Sequence, residues 1–424
     1  MRRLLQLPLA LLAQLTLRRY APRVVGVTGS VGKTTTRLAV AHVLATRFRV
    51  GSPARNLNNE IGLPLAVLGE PDSGYRNPLA WLGILARALW QLVRLNPSYP
   101  EVLVLEYGVD HPGDMACLTR IAKPEVAVLT AIQPTHLQFM GTLEAVAREK
   151  GELVAALPSE GTAVLNIDDE LVLRSLTRTK ARAVTFGFTP RAAVRAEGVQ
   201  PAVAEDGRAF GVSFKLALQG SSVPLTVPGV VGEPPVRALL AAAAVAQLFG
   251  LSTMEIARAL PHVPFPPGRL VLLPGVRGTT VVDDTYNSSS ASLSAALAAV
   301  RSLPLPPGAR RWAVLGSMLE LGQKSAEYHR AAGREVASLG YTRLVAVGKE
   351  AGEVAAAARS TGGVELTVWE VPNAAAAAER LLRELAPGDL VLVKGSRGVR
   401  LEQVVHAITA EPARASELLV PRHA

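Results

Sequence analysis

A glycine-rich loop near the start of the chain restricts the fold more than any other feature of the sequence. The loop follows a short apolar run at residues 24–28, and a helical pattern at residues 34–45 begins directly after it. Glycines let the backbone turn its N–H groups toward an anion, and the N-terminus of a helix adds a favourable dipole. A strand, a loop and a helix in this order predict a phosphate-binding loop, or P-loop, in an α/β sheet. The loop residues are Thr28-Gly29-Ser30-Val31-Gly32-Lys33-Thr34-Thr35.

The glycine spacing of this loop departs from the commonest P-loop pattern. Gly26 lies six residues before Gly32, and the expected glycine position holds Val27. The parts that the chemistry requires are nevertheless present, because the loop has glycines, a lysine and a hydroxyl for Mg²⁺. The loop therefore predicts ATP binding and leaves the reaction open.

Continuous apolar runs farther along the chain predict a doubly wound, mostly parallel sheet. Such runs are typical of strands that are buried on both faces, and they alternate with helical stretches such as residues 237–248. Shorter alternating runs between residues 190 and 230 indicate an antiparallel flap on the first domain. The apolar runs lie at residues 102–106, 126–130 and 163–167, and in a second group at residues 279–282, 312–315, 343–347 and 390–393.

Because 424 residues exceed the usual size of one hydrophobic core, we expect more than one domain. We predict an apolar and basic helical segment at residues 1–22, a central ATP-binding P-loop domain at residues 23–268, and a smaller Rossmann-like α/β domain at residues 269–424.

The N-terminal segment has arginines at both ends of an apolar stretch of about 14 residues, which is too short to span a bilayer. It lacks a convincing signal-peptide cleavage site, and Pro8 is expected to interrupt a helix. We interpret it as a docking helix that packs on the protein or lies on a membrane surface. Residues 78–95 place apolar side chains at helical spacing, either for core or interdomain packing or for membrane contact beside the N-terminus.

Composition bears on partners and location. The formal charge of +10 would suit nucleic acid, yet the basic residues are scattered and aromatic residues make up only 4% of the chain, so we expect no nucleic-acid partner. A single cysteine, Cys117, excludes an internal disulfide and suits a reducing cytosol. We expect a cytoplasmic protein in peripheral contact with the inner face of the membrane.

The loop at residues 28–35 resembles the ATP loop of Mur ligases, the enzymes that extend the peptidoglycan stem peptide. Seven further segments resemble, in order, the MurF type of this family, which adds D-alanyl-D-alanine, and the resemblance covers about residues 23–410. These segments are Asn58-Asn59-Glu60-Ile61-Gly62-Leu63-Pro64, Glu106-Tyr107-Gly108, His136-Leu137, Lys150-Gly151-Glu152, Asp283-Asp284-Thr285-Tyr286-Asn287, Leu319-Glu320-Leu321-Gly322 and Lys394-Gly395-Ser396-Arg397.

The resemblance implies small-molecule and peptide substrates. It also implies that ATP phosphorylates a substrate carboxylate and that an amine attacks the acyl phosphate to give an amide. Such chemistry needs a fixed cation, which we expect to be Lys33, and Mg²⁺ held by Thr34 and Glu106. For a second Mg²⁺ the resemblance points to His136 and to Lys150, which matches a lysine that the family carbamylates. A structural histidine, a solvated lysine and a Glu106 that pairs with an arginine are the alternatives.

The second domain is implied to meet the nucleotide through Arg269, Asp284 and Asn287, with ordinary turn and ion-pair roles as the alternative. The loop that contains Lys394, Ser396 and Arg397 follows a strand. It is expected to bind substrate carboxylates, since arginine suits bidentate pairing, or else to be structural.

Two departures from the family pattern leave the acceptor and the nucleotide contacts open. The stretch that matches the usual adenine-binding residues contains Pro234 and Pro235, which cannot donate a backbone hydrogen bond. Only about 22 residues precede the P-loop domain, where a MurF enzyme has a domain that binds the UDP-sugar. The acceptor is therefore expected to be held by a partner protein, presented at a membrane, or not a UDP-muramyl peptide. A non-catalytic ATP-binding scaffold is the alternative of a different class.

Overall fold

The structure is a computed structural model that describes residues 2–53, 55–70, 78–134, 137–361 and 365–420. It contains α-helices and β-strands in alternation. The strands are β1 Arg23–Thr28, β2 Val50–Gly51, β3 Val102–Glu106, β4 Val126–Leu129, β5 Thr162–Asn166, β6 Arg182–Gly187, β7 Val194–Val203, β8 Ala209–Leu218, β9 Ser221–Pro228, β10 Val271–Pro274, β11 Thr280–Asp284, β12 Arg311–Gly316, β13 Arg343–Val347, β14 Thr367–Val371 and β15 Leu390–Lys394.

The helices lie between these strands along the chain. They are α1 Arg2–Tyr20, α2 Lys33–Ala45, α3 Gly62–Leu68, α4 Pro78–Val93, α5 Asp114–Ile121, α6 Leu137–Met140, α7 Leu143–Ala155, α8 Glu170–Leu173, α9 Glu233–Leu248, α10 Thr253–Ala259, α11 Ser290–Arg301, α12 Ser325–Ser338, α13 Ala351–Thr361, α14 Ala374–Glu384, α15 Glu402–Ile408 and α16 Ala415–Leu418. Short 3₁₀ turns lie at Arg174–Arg178, Leu260–His262, Val276–Gly278, Gly322–Lys324, Arg397–Val399 and Pro412–Arg414.

The chain folds into two compact units. The first contains residues 1–196, 216–223 and 237–264, and the second contains residues 197–215, 224–236 and 265–424. Strands β7, β8 and β9 are thus each divided between the two units, whereas the sequence assigned the whole flap to the first domain. The predicted domain boundaries at residues 22 and 268 stay predictions.

The first unit is built on a parallel sheet in which β1 lies between β3 and β4, and the order of neighbours is β2-β3-β1-β4-β5-β6-β7. Strands β1, β3, β4 and β5 are buried along almost their whole length, and each of them is largely apolar. The P-loop leaves the carboxyl end of β1, the edge where ligands collect in such sheets. The predicted α/β fold with a doubly wound parallel sheet is confirmed.

Strands β7, β8 and β9 continue this sheet in chain order. Only two residues, Gln219 and Gly220, separate β8 from β9, and Gly220 has a positive φ of 75°. A two-residue connection joins antiparallel strands, since two residues cannot return the chain to the start of a parallel neighbour. The antiparallel flap that the alternating sequence indicated is therefore present.

The second unit has a six-stranded sheet of order β10-β11-β15-β12-β13-β14, in which β10 alone pairs antiparallel with its neighbour. Alternate residues of β15 enter different cores. Leu390 and Leu392 pack with helices α11 to α13 on one face, whereas Val391 and Val393 pack with α14 and α15 on the other. This unit is the smaller α/β fold that the second group of apolar runs predicted.

The expectation that Pro8 interrupts a helix is wrong. Pro8 lies inside a continuous helix, Arg2–Tyr20, and does not interrupt it. Proline removes one backbone hydrogen bond, and burial of Leu9 and Leu12 in a cluster with α3 and α4 offsets that loss. One face of α1 thus packs on the protein, as expected for a docking helix. None of the described helices is long and apolar enough to cross a membrane.

Candidate functional site

The P-loop backbone depends on two glycines with positive φ, Gly29 at 148° and Gly32 at 81°. A Cβ on Gly29 would lie 2.0 Å from the hydroxyl of Thr130, so no other residue fits there. That hydroxyl donates to the carbonyl of Val31 at 2.6 Å. The residue that follows β4 therefore fixes the loop, and α2, which begins at Lys33, starts directly after it and directs its N-terminus toward it.

A hydroxyl and a carboxylate meet beside the loop. Thr34, in the first turn of α2, places Oγ1 3.0 Å from Oε2 of Glu106, the last residue of β3. The Glu106 side chain is buried. Two oxygen atoms at this separation at the carboxyl edge of a parallel sheet form a donor pair that suits a hard divalent cation.

Two further side chains hold Glu106, and the sequence analysis assigned neither of them a role. Asn58 donates from Nδ2 to Oε1 of Glu106 at 3.0 Å. Arg37, one turn beyond Lys33 on α2, is fully buried with its Nε 3.6 Å from Oε2 of Glu106. Burial lowers the pKa of Arg37, and the nearby Glu106 carboxylate acts in the opposite direction. The expected alternative for Glu106, pairing with an arginine, is therefore present together with the contact to Thr34.

The structure explains the atypical glycine spacing. Gly26 lies within β1, and a Cβ there would come 2.9 Å from the ring of Tyr107, the residue that follows Glu106. Tyr107 is fully buried and donates its hydroxyl hydrogen to the carbonyl of Ala122 at 2.6 Å. Gly26 is thus a packing residue that makes room for Tyr107. The glycines with positive φ in the loop itself are Gly29 and Gly32.

Lys33 and Lys150 are close enough to repel each other. Lys33 donates to the carbonyl of Gly29 at 2.9 Å. Lys150, on α7, is almost completely buried, which excludes the solvated helix lysine that was its alternative. Burial, followed by the charge of Lys33, lowers the pKa of Lys150 to about 7, while Asp110 and other nearby carboxylates act in the opposite direction.

Glu149, the residue before Lys150, has a structural role. Its carboxylate accepts hydrogen bonds from the backbone N–H groups of Gly113 and Met115 at the start of α5. It therefore acts as a helix cap and not as a free acid. His136, the fourth residue expected at this site, lies outside the described residues.

In the second unit a buried ion pair joins two of the predicted segments. Lys394 donates from Nζ to Oδ2 of Asp284 at 2.6 Å and to the backbone carbonyl of Asn287 at 2.9 Å. Burial lowers the pKa of Lys394, and the pairing with Asp284 opposes this effect. The ordinary ion-pair role that the sequence left open for Asp284 is thus present.

The remaining residues predicted in this unit also have internal contacts. The guanidinium of Arg269 lies 4.1 Å from the centre of the Tyr286 ring. Ser396 accepts a hydrogen bond from the N–H of Leu319 at 2.9 Å. Arg397 places Nη1 3.6 Å from a carboxylate oxygen of the buried Glu402. Their expected roles toward nucleotide and substrate stay predictions.

The residues around the P-loop fit a nucleotide and a divalent cation. The loop contains Gly29, where a Cβ has no room, and Gly32, whose φ is positive. Lys33 begins the helix that follows, and a hydroxyl and a carboxylate converge beside the loop. Nε and Nη2 of Arg37 are buried without hydrogen-bond partners, and Nε lies 3.6 Å from Oε2 of Glu106. Such oxygen donors beside a phosphate-binding loop suit a divalent cation.

Comparisons with known proteins agree with this site. A family model described as the Mur ligase middle domain matches residues 88–246, and one described as the Mur ligase glutamate ligase domain matches residues 268–397. A Synechocystis protein named UDP-N-acetylmuramoyl-tripeptide–D-alanyl-D-alanine ligase is 32% identical over 93% of this chain and 76% of its own length. The chain belongs to the Mur ligase family.

Another ligase sequence and a ligase crystal structure are also similar to this chain. A Bacillus subtilis protein with the same ligase name is 30% identical, covering 95% of this chain and 79% of its own. The crystal structure of a MurF ligase from Thermotoga maritima in complex with ADP superposes with a TM-score of 0.76 at 26% identity, covering 94% of this Mur ligase and 82% of that chain. The predicted resemblance to the MurF type is confirmed.

Proposed function

We propose that this chain is an ATP-dependent ligase of peptidoglycan precursor synthesis that joins D-alanyl-D-alanine to a muramyl tripeptide acceptor. The observation that carries the proposal is the contact between the Thr34 hydroxyl and the Glu106 carboxylate beside the P-loop lysine. Phosphoryl transfer requires positioning and compensation of negative charge more than covalent chemistry from the protein. The two proposed substrates, the muramyl tripeptide and D-alanyl-D-alanine, are taken from the names of the similar proteins.

The proposed reaction has two steps. A carboxylate oxygen of the acceptor attacks the γ-phosphorus of ATP, the bond from that phosphorus to the bridging oxygen breaks, and ADP leaves. The amine of D-alanyl-D-alanine then attacks the acyl phosphate, loses a proton and displaces phosphate, which keeps the former carboxylate oxygen. Lys33 compensates charge on the transferred group in the first step.

Mg²⁺ would be held by Thr34 and Glu106, where it supplies positive charge to the phosphate oxygens. For a second Mg²⁺ we propose His136 and a carbamate on Lys150. A buried lysine close to a second ammonium group is poorly suited to carry a charge of its own, and only the uncharged amine reacts with CO₂. The carbamate would replace a repelling cation by an anion with two oxygens.

The second unit is proposed to contribute to substrate binding. Asp284 and Asn287 would meet the nucleotide and Arg269 its phosphates, while Lys394 would orient Asp284 through the ion pair described above. Ser396 and Arg397 would bind a substrate carboxylate.

We further propose that the enzyme works in the cytoplasm at the inner face of the membrane, in contact with it through residues 1–22. A partner protein that supplies acceptor recognition would act there too.

The proposal is tested by ADP release in the presence of ATP, Mg²⁺ and D-alanyl-D-alanine. One reaction contains the UDP-muramyl tripeptide and a second contains the same peptide without the UDP-sugar. We expect release that requires both the amine and the UDP-linked acceptor and that is lost in Lys33→Met but kept in Lys123→Met, an exposed control. ADP release with the non-UDP peptide and not with the UDP-linked acceptor would contradict the MurF assignment. If neither acceptor supported ADP release, the result would favour the non-catalytic ATP-binding scaffold.

A further inference from the structure

The exposed face of α1 is an apolar stripe. Leu7, Leu11 and Leu15 are spaced four residues apart, which places them in one row along the helix. Leu7 is 80% exposed, and even Leu15, the most covered of the three, is 37% exposed. A helix that only packs on its own protein presents polar residues on this face. On α1, leucine occupies the exposed positions where polar residues are expected.

Helix α4 repeats the pattern. Leu79, Leu82, Leu89 and Val93 follow helical spacing, and their side chains are all more than half exposed, with Val93 reaching 77%. Trp90 lies beside this row and is 61% exposed. Tryptophan is enriched where an apolar surface meets water at a membrane, because its ring is apolar and its N–H is a donor.

The apolar stripes of α1 and α4 both lie on the side of their helix that faces away from the protein. Leu9 and Leu12 on the opposite face of α1 and Trp81 and Ile84 on the opposite face of α4 enter one buried cluster over α3. Tyr20 at the end of α1 donates to the carbonyl of Gln91 in α4 at 2.8 Å, which ties the helices to each other. Since both bury their inner faces in one layer, both present their outer faces to solvent.

This two-helix face, defined as the exposed residues of α1 and of residues 78–95, concentrates the exposed apolar surface of the chain. Among the described residues, fifteen large hydrophobic side chains are exposed, and nine of them lie on it. Single exposed apolar residues are ordinary, whereas a contiguous set marks an interaction surface.

The charges on this face have one sign. Residues 2–20 and 78–95 contain six arginines and no aspartate or glutamate. Arg18 and Arg94 are exposed, and Arg87 is paired with Glu70 at the edge of the face. A second copy of the chain would have to bring such a face against its own equivalent, which places arginines against arginines without an acid to compensate them.

We propose that the two-helix face binds the surface of an anionic lipid bilayer, with its apolar stripes in the headgroup region and its arginines on lipid phosphates. Helices of this kind lie in the plane of the membrane, and the attraction has an apolar and an electrostatic part. The inference adds the lipid class and the α4 stripe to the membrane contact proposed above, and it does not depend on which substrates the ligase joins.

Flotation of the full-length chain with vesicles tests this proposal, using phosphatidylcholine alone and phosphatidylcholine with phosphatidylglycerol. We expect binding to the anionic vesicles that weakens as salt is raised. Two double variants separate the two contributions. Leu82→Glu with Val93→Glu acts on the stripe, and Arg18→Glu with Arg94→Glu acts on the charge. Each should reduce binding by about tenfold or more.

Matched controls lie on α10. Met254→Glu is an exposed apolar change, and Arg258→Glu reverses an arginine in the last turn of a helix, as at Arg18. Both should bind like the unchanged protein, and ADP release without vesicles should be unaltered in every variant, which also shows that each is folded. Equal binding to neutral and anionic vesicles, or no binding, would overturn the proposal. So would a dimer that Val93→Glu dissociates while vesicle binding is absent.

Discussion

The hydroxyl of Thr34 lies 3.0 Å from Oε2 of Glu106, and this contact joins the first turn of α2 to the end of β3. Asn58 holds the other carboxylate oxygen, and Arg37 lies behind the first. Glu106 is therefore fixed in position by three side chains before any ligand binds. Such preorganisation is how a protein lowers the cost of stabilising charge during a reaction.

Replacing Glu106 by glutamine should lower both the rate of ADP formation and the stability of the protein, for two different reasons. Loss of a carboxylate ligand should lower the rate of ADP formation by about a hundredfold or more and raise the Mg²⁺ concentration needed. Arg37 would also keep a buried charge without its partner, which destabilises a protein by roughly 3–5 kcal/mol. The double variant Glu106→Gln with Arg37→Met removes both charges. It should recover much of the melting temperature and none of the activity; recovery of activity would show that Glu106 is needed only to pair Arg37.

Replacing Gly26 by alanine should destabilise the first unit. The new methyl group would lie 2.9 Å from the Tyr107 ring, and overpacking of a filled core costs roughly 1–3 kcal/mol. Gly83→Ala in α4 is the matched control. Its nearest neighbour is the flexible end of Arg87 at 3.4 Å, so the change should leave stability equal or slightly higher. Equal denaturation midpoints for the two variants would contradict the packing role of Gly26.

Much of this arrangement follows from the sequence. Apolar runs identified β3, β4, β13 and β15 within one residue at each end, because strands buried on both faces have a strong local pattern. The position of Glu106 at the end of β3 was also predicted. Arg37 was not, since its partner is distant in the chain and an arginine in a helix is ordinary.

Other features depend on tertiary contacts that no local pattern records. The role of Gly26 is set by a tyrosine about eighty residues away. The continuity of α1 through Pro8 depends on a cluster formed with α3 and α4. Helical spacing located the apolar residues of α4 but did not show that most of them are exposed.

Asp283 should make stability depend on pH. Burial raises the pKa of its carboxyl from an ordinary 3.8 to about 6. The folded protein therefore binds this proton more tightly than the unfolded chain does, and stability falls as pH rises from about 4 to about 6. The loss amounts to about 2–3 kcal/mol and is complete above that range.

Asp283→Asn should remove this dependence. The difference in melting temperature between the variant and the unchanged protein should grow in favour of the variant from pH 4 to about 6 and then stay constant. Since other groups titrate in both proteins, only the difference is informative. A difference that does not change with pH would contradict the raised pKa.

Lys150 should act as a carbamate and not as an ammonium group. Lys150→Ala should lose activity, and a small carboxylate such as acetate should restore part of it, because it replaces the missing anion near the metal. Lys180→Ala, at an exposed lysine, should be active and indifferent to acetate. Rescue by a small amine, with none by acetate, would show that Lys150 works as a cation.

The most direct test of the central claim, amide formation through an acyl phosphate at the P-loop, follows one oxygen atom. The acceptor carboxylate is labelled with oxygen-18, and the phosphate released with D-alanyl-D-alanine, ATP and Mg²⁺ is examined by mass spectrometry. The proposed chemistry predicts one labelled oxygen in each phosphate, since the amine displaces the phosphate together with the former carboxylate oxygen. Unlabelled phosphate released along with the amide product would contradict it.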